Sequence, residues 1–289
     1  MFESFLSYKS GKWMRWAIVL VVLACIFYGL QDLPVDRNGG TAVGYALGTI
    51  AAILMVWLTW LGRRKRNYHS NFGSVLGWTS AHVYFGIALI VIATLHTGFQ
   101  FGANVHTLAY GLMLVVCLSG LYGVWVYSRY PYKITGNSKG KLRNALFEDL
   151  KEEDRQIVRL SGRLDDEDDR VVRGALERTE FGGTYFDQIT AVDRSTVQIP
   201  GRGLCDNKNM QGLADHLVEQ LQASDSSERS EALQGILSCL GQRALILGRI
   251  REDVRLVAML RAWLFVHVPL AFAALASLAA HIFSVFIYW

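Results

Sequence analysis

Five long apolar runs with almost no charged residues alternate with polar stretches along this chain. Each run approaches or exceeds the roughly 20 residues that a helix needs to cross a hydrocarbon core of about 30 Å. We therefore predict five transmembrane helices. They cover Trp13–Leu30, Thr41–Leu61, Leu76–Phe99, Thr107–Tyr127 and Leu260–Tyr288.

A polar segment separates the fourth apolar run from the fifth, and at about 130 residues it is long enough for a small domain. Its strand-like part is Thr184–Ile199, while Gly182–Gly183 and Gly201–Gly203 are typical of turns. Helical periodicity recurs in four other stretches, the last of which is expected to continue into the fifth span. These are Asn144–Ser161, Asp165–Thr179, Met210–Gln222 and Ser227–Arg255.

The predicted fold class is an all-α membrane protein. Residues 1–127 form transmembrane helices one to four, and residues 260–289 form the fifth helix, which completes the bundle. Residues 128–259 form a mainly helical domain inserted between helices four and five.

Charge decides the predicted orientation. Of the 25 Asp and Glu residues, 22 lie between Glu148 and Asp253, so the net charge of +4 averages two unlike regions and indicates no nucleic-acid binding. Lys and Arg cluster before the first span, after the second and after the fourth, whereas the other loops hold only Arg37. The positive-inside rule then predicts a cytoplasmic N-terminus and polar segment and an outer C-terminus. We expect the membrane to be a bacterial inner membrane. We also expect the first helix to stay uncleaved, since no A-x-A site follows it.

Four of the seven histidines lie in two predicted spans at the same spacing. His82 and His96 are fourteen residues apart, as are His267 and His281. Fourteen residues are about 1400° of helical rotation and about 21 Å of rise, so each pair shares one helix face and lies at two depths. The two helices are predicted to be parallel, which pairs His82 with His267 and His96 with His281. Antiparallel helices would instead have paired His82 with His281 and His96 with His267.

Paired imidazoles at two depths indicate axial ligands for two b-type haems. A bare transition-metal ion needs three or four protein ligands, and proton or cation pathways usually carry intramembrane carboxylates, which these spans lack. A haem needs only two axial ligands, because the porphyrin supplies the other four. Iron with both axial positions filled does not readily bind oxygen, which disfavours oxidase chemistry.

These two His-x(13)-His helices, third and fifth in order and parallel, resemble the transmembrane domain of ferric reductases and NADPH oxidases. The cytochrome b of respiratory quinol–cytochrome c reductases also carries paired histidines at this interval. The resemblance implies that His82, His96, His267 and His281 are axial ligands of two non-covalent haem b groups. It covers the membrane portion alone, and we expect no flavin and nicotinamide domain of the kind with which ferric reductases usually continue.

The chain also has no nucleotide fingerprint, no P-loop and no Cys-x-x-Cys-His or Fe–S pattern among its four cysteines. Electron donors and acceptors are therefore expected to be other subunits, carrying flavin, Fe–S or cytochrome c centres, or a membrane quinone. We expect a membrane subunit of a respiratory oxidoreductase, with lipid around it, rather than a self-sufficient enzyme. Two alternatives stay open: a haem-handling transporter or assembly factor, and a membrane scaffold for partner proteins.

Several neighbouring residues have two interpretations. Glycines at 48, 62, 111, 120 and 123 give a porphyrin clearance or let helices touch. The apolar stripe of Ser227–Arg255 is a core face or a docking face. The acidic run Asp165–Asp169 is a solvated helix start or a docking patch for a basic electron carrier. Polar residues at the membrane edges could bind the haem propionates, and the basic ones could instead contact lipid headgroups. These residues are Arg63–Arg66, Arg129, Arg261, Arg37, Gln100 and His106. His69 and His106 could also exchange a proton with a quinone at the membrane edge.

Overall fold

The computed structural model describes residues 4–31, 37–66, 73–138 and 143–288, with the side chains of 66, 129–138, 143 and 288 excepted. This part of the chain is mostly helical. Five of its helices are long and apolar enough to cross a membrane. The chain divides into two compact units, Met1–Ser128 with Ala262–Trp289, and Arg129–Arg261.

The first unit is built around three closely packed helices. They are α1 (Tyr8–Gly29), which a 3₁₀ turn at Phe5–Ser7 precedes, α2 (Ala42–Arg66) and α3 (Val75–Thr97). Small side chains allow the close approach, as is usual between membrane helices. The buried contacts are made by Ala17, Ala24, Leu47, Ala51, Leu58, Ala88, Leu89 and Ile92.

Sequence signals at both ends position α3. Ser74 caps its N-terminus by accepting a hydrogen bond from the backbone N–H of Gly77. At its C-terminus Gly98 adopts a left-handed conformation with φ of 59°, and its N–H donates to the carbonyl of Leu95. A Cβ at Gly98 would overlap the backbone carbonyl of Arg37, so the end of α3 lies against the loop before α2.

Parts of two further helices complete this unit: α4 (Val105–Ser138) up to Ser128, and α9 (Ser227–Tyr288) from Ala262 onward. Trp263 on α9 donates to the carbonyl of Ser119 on α4 at 2.8 Å. Tyr110 on α4 shares a hydrogen bond of 3.0 Å with Thr94 on α3. Large apolar side chains remain exposed on the outer faces, such as Phe265 at 82%. Exposed apolar faces of this kind are typical of helices that lipid surrounds.

The second unit contains α5 (Arg143–Ser161), α6 (Asp166–Glu177), α7 (Tyr185–Thr190), α8 (Gln211–Gln222) and the N-terminal part of α9. Two short antiparallel strands lie between α7 and α8: β1 (Thr196–Ile199) and β2 (Gly203–Asp206). The four predicted helical stretches of this segment are confirmed. So is the expectation that the last of them runs on without a break, because α9 ends at Tyr288.

The strand prediction for Thr184–Ile199 is largely wrong. Only its last four residues form β1, and residues 185–190 form α7. Thr184 and Asp187 make a reciprocal capping box, which satisfies the free N–H groups of a helix start. The strand β2 was not predicted. Gly201, with φ of 73°, provides the predicted turn between the strands.

The apolar stripe of α9 faces a core. Its members Leu233, Ile236, Leu240, Leu247 and Ile250 are buried against α5, α6, α8 and β1, and Leu237 and Val254 are partly buried there. The docking-face interpretation of this stripe is therefore wrong, since its side chains are already covered.

The acidic run starts a helix, as predicted, but it is not wholly solvated. Asp165 caps α6 by accepting from the N–H of Asp168. Asp168 is buried and binds His216 on α8 at 3.2 Å and Arg229 on α9 at 2.7 Å. Burying a carboxylate requires such partners. This carboxylate therefore joins three helices and is not a surface for an electron carrier.

Candidate functional site: four anchored histidines

The two histidines of α3 are held by main-chain oxygens of α2. His82 Nδ1 lies 3.0 Å from the carbonyl oxygen of Leu58, and His96 Nδ1 lies 2.8 Å from that of Gly44. A carbonyl oxygen can only accept, so in both rings Nδ1 carries the proton and donates. In a neutral imidazole of this tautomer, Nε2 has an unshared electron pair and can bind a metal.

The spacing of the acceptors repeats the spacing of the histidines. Gly44 and Leu58 are fourteen residues apart, like His96 and His82, and α2 runs antiparallel to α3. In a helix the same two carbonyls accept from the N–H groups of Gly48 and Gly62. Each anchoring carbonyl thus belongs to a helical turn that a glycine closes.

The two glycines nevertheless differ in their surroundings. A Cβ at Gly48 would lie 2.6 Å from Cε1 and 2.8 Å from Nδ1 of His96, so the ring packs directly on the glycine backbone. A Cβ at Gly62 would meet no heavy atom within 4 Å. On α4, a Cβ at Gly123 would overlap the indole ring of Trp263, which assigns Gly123 to helix contact.

The two histidines of α9 are held by side chains of α4. His267 Nδ1 lies 2.7 Å from Oγ of Ser119, and that hydroxyl also lies 2.8 Å from the carbonyl oxygen of Val116. Because the single hydroxyl proton is given to the carbonyl, the Ser119 oxygen accepts from His267. His281 Nδ1 lies 2.6 Å from Nδ1 of His106, so one of these rings donates to the other.

The structure brings His96 of α3 close to His281 of α9. The ring centroids of His96 and His281 are 6.1 Å apart, with an angle of 82° between the ring planes. His82 and His267 form the other predicted pair. Within the described residues, the Nε2 atoms of these four rings have no hydrogen-bond partner, and no group of three or more His, Cys, Asp or Glu could hold a metal ion. Each pair can therefore offer two nitrogen ligands and no more.

Leu58, Gly44 and Ser119 were not predicted as partners of these histidines. The glycine interval on the second span was the only signal for the α2 contacts. Nothing in the sequence points to Ser119, which lies 148 residues from His267. His106 was predicted as a propionate or quinone partner, and the structure places it against His281 instead.

Some of the predicted peripheral residues have other contacts. Arg37 donates to the carbonyl oxygens of Gly29 and Gln31, and Arg64 donates to that of Gly73 at 2.7 Å. The Arg63 guanidinium lies over the Trp60 ring. His69 and the side chains of Arg66 and Arg129 lie outside the described residues.

Comparison with known proteins adds no further constraint. No family model, curated protein or solved structure matches this chain. The function must therefore be argued from the site.

Proposed function

We propose that the chain is a di-haem b-type cytochrome that carries electrons across a membrane. In this proposal five helices span the bilayer, and residues 128–259 are a cytoplasmic domain inserted before the fifth. The observation that carries it is the common state of four histidines. Each is anchored through Nδ1, each leaves Nε2 available, and His96 lies close to His281.

The ring separation supports a pair of axial ligands. A metal–imidazole bond is about 2 Å long, and the ring centre lies about 1 Å beyond the bonded nitrogen. Two imidazoles that bind one iron through Nε2 would therefore have ring centroids about 6 Å apart. The separation of 6.1 Å between His96 and His281 agrees with this value.

The donor set also favours haem over a bare ion. Two nitrogen ligands are too few for a structural or catalytic zinc site but complete the coordination of an iron whose four equatorial ligands come from a porphyrin. A haem bound there supplies one-electron exchange between ferric and ferrous iron.

The residues of the chain fix the ligands and their electronic character. Leu58 and Gly44, through their carbonyls, and Ser119, through its hydroxyl, select the Nδ1–H tautomer and keep the rings from rotating. Acceptors at Nδ1 also increase the basicity of Nε2, which favours the oxidised iron. Along α3 the levels are about 21 Å apart, enough to link the two membrane surfaces.

Electron donors and acceptors are proposed to be partner subunits on one or both faces, or a quinone in the bilayer. A photoactivatable quinone analogue should then label residues at one membrane edge. Labelling at neither edge would leave partner subunits as the only electron donors and acceptors.

The decisive experiment is a reduced-minus-oxidised spectrum of the purified protein, with a pyridine haemochrome assay for stoichiometry. We expect two low-spin haems per chain. His96→Ala and His82→Ala should each lose one haem and abolish trans-membrane electron flow in liposomes. Ile87→Ala, at an exposed position of α3 between them, is the matched control and should keep both haems.

The alternatives give different outcomes. A haem transporter would bind haem loosely and below two per chain, without reduction by a physiological donor. A scaffold would still assemble its complex as the His96→Ala variant. Electron flow that persists in His96→Ala would refute the proposed electron pathway.

A further inference from the structure

His106 is a fifth histidine at the proposed haem levels, and it contacts one ligand directly. It lies at the start of α4, and its Nδ1 is 2.6 Å from Nδ1 of His281. The ring centroids are 4.6 Å apart and the planes are nearly perpendicular, at 89°. This edge-on arrangement is that of a hydrogen bond and not of stacked rings.

The direction of this hydrogen bond follows from the surroundings of the two rings. If His106 were the donor, the proton of His281 would be on Nε2, where the described residues provide no acceptor. If His281 is the donor, the proton of His106 is on Nε2, and His106 is exposed, so water or a lipid headgroup can accept it. Leaving a donor unpaired costs about 1–3 kcal/mol. The second arrangement is therefore favoured.

With this direction His281 has the same tautomer as the three other histidines. All four rings then donate from Nδ1 and present Nε2. The acceptor differs, however: it is a carbonyl oxygen for His82 and His96, a hydroxyl for His267, and a neutral imidazole for His281. An imidazole nitrogen is the most basic of these acceptors, as the ordinary pKa of histidine, about 6.5, indicates.

We propose that His106 is a positioning residue for His281, which fixes its tautomer and ring orientation and lowers the reduction potential of the haem that His96 and His281 hold. This inference rests on the proposed function. A stronger acceptor at Nδ1 increases the electron density that Nε2 gives to iron, and it thereby stabilises the ferric state. His106 itself makes no bond to the iron.

The test is a potentiometric titration of full-length protein in nanodiscs, with low-spin EPR spectra and haem stoichiometry. His106→Phe keeps a ring but removes the acceptor. His106→Asn keeps an amide oxygen near the position of Nδ1. Leu108→Ala, an exposed position two residues along α4, is the control. If His106→Phe does not fold, His106→Leu takes its place.

We expect His106→Phe to retain two haems and to raise the potential of one of them. The expected change is about tenfold in the reduction equilibrium, or about 59 mV for one electron. The EPR signal of the same haem should shift, the other haem should stay unchanged, and His106→Asn should restore most of both properties. Leu108→Ala should match the wild type.

Three results would overturn the inference, and they separate it from the proposed function. Unchanged potentials in His106→Phe would refute the positioning role while leaving a di-haem protein. Loss of one haem in both His106→Phe and His106→Asn would make His106 a ligand itself. A wild-type protein without haem would refute the proposed function and this inference together.

Discussion

Gly48→Ala tests the packing of a candidate ligand without touching any histidine. The new methyl group would lie 2.6 Å from Cε1, 2.8 Å from Nδ1 and 3.1 Å from Nε2 of His96. Carbon atoms in contact are normally about 3.5–4 Å apart, so the ring must move by about 1 Å. The substitution therefore acts on the whole face of the imidazole.

The free-energy cost has two parts. Forcing one methyl group into a packed site costs about 1–3 kcal/mol. A displacement of about 1 Å would also break the 2.8 Å hydrogen bond from Nδ1 of His96 to Gly44, which contributes about 0.5–1.5 kcal/mol. Against these stands a gain of about 1 kcal/mol in helix propensity. The net expectation is a destabilisation of about 1–3 kcal/mol.

Gly62→Ala is the matched control, because it lies on the same helix at the same interval and its methyl group would meet nothing. It should be neutral or stabilising by up to about 1 kcal/mol. Thermal unfolding in detergent and haem content should be measured for both variants. Gly48→Ala should melt lower and lose one haem, whereas Gly62→Ala should do neither. Equal melting temperatures and equal haem content would refute the packing argument.

Two further predictions concern the second unit. Leu247→Ala, at a fully buried position of α9, should lower the free energy of unfolding by about 2–5 kcal/mol. The control Leu245→Ala, at a position 59% exposed, should change it by no more than about 0.5 kcal/mol. Denaturant titration of both variants measures this difference. The hydroxyl of Thr184 and then the guanidinium of Arg194 hold the pKa of the Asp187 carboxyl below its ordinary value. The stability that the ionised Asp187 carboxylate contributes to the fold is thus present above about pH 4 and is lost as the pH falls through the lowered pKa. Melting temperatures from pH 7 to pH 2 should therefore fall less steeply for Asp187→Asn, and identical slopes would contradict this reasoning.

Local sequence signals predicted the helices well. The apolar stripe from Leu233 to Val254 has a helical period because one face of α9 covers a core, and such a period is visible without the fold. The segment Thr184–Ile199 contains several aromatic and β-branched residues, which favour strands, but it also contains a capping signal. Thr184 is followed three residues later by Asp187, which is a capping-box pattern, and this local pattern determines the start of α7.

Contacts between distant residues could not be predicted in the same way. The equal spacing of His82 with His96 and of His267 with His281 predicts that each of these two helices carries both of its histidines on one face, because helix geometry repeats. It could not identify Ser119, since a serine at a helix face is common and its partner depends on how two helices pack. The burial of Asp168 among α6, α8 and α9 was also hidden, because an acidic run normally indicates a solvated surface.

The anchors of the two histidine-bearing helices differ in what mutation can do to them. The histidines of α3 donate to main-chain oxygens, and an amino-acid substitution at the acceptor position leaves that oxygen in place. The histidines of α9 form hydrogen bonds with the side chains of Ser119 and His106, whose bonding atoms disappear when the side chain is replaced. In each predicted pair, the hydrogen-bond partner of the α3 histidine therefore survives a substitution. The partner of the α9 histidine can be removed by a single amino-acid change. Substitutions on α4 can therefore change the environment of each α9 histidine while the hydrogen bonds between α2 and α3 stay in place.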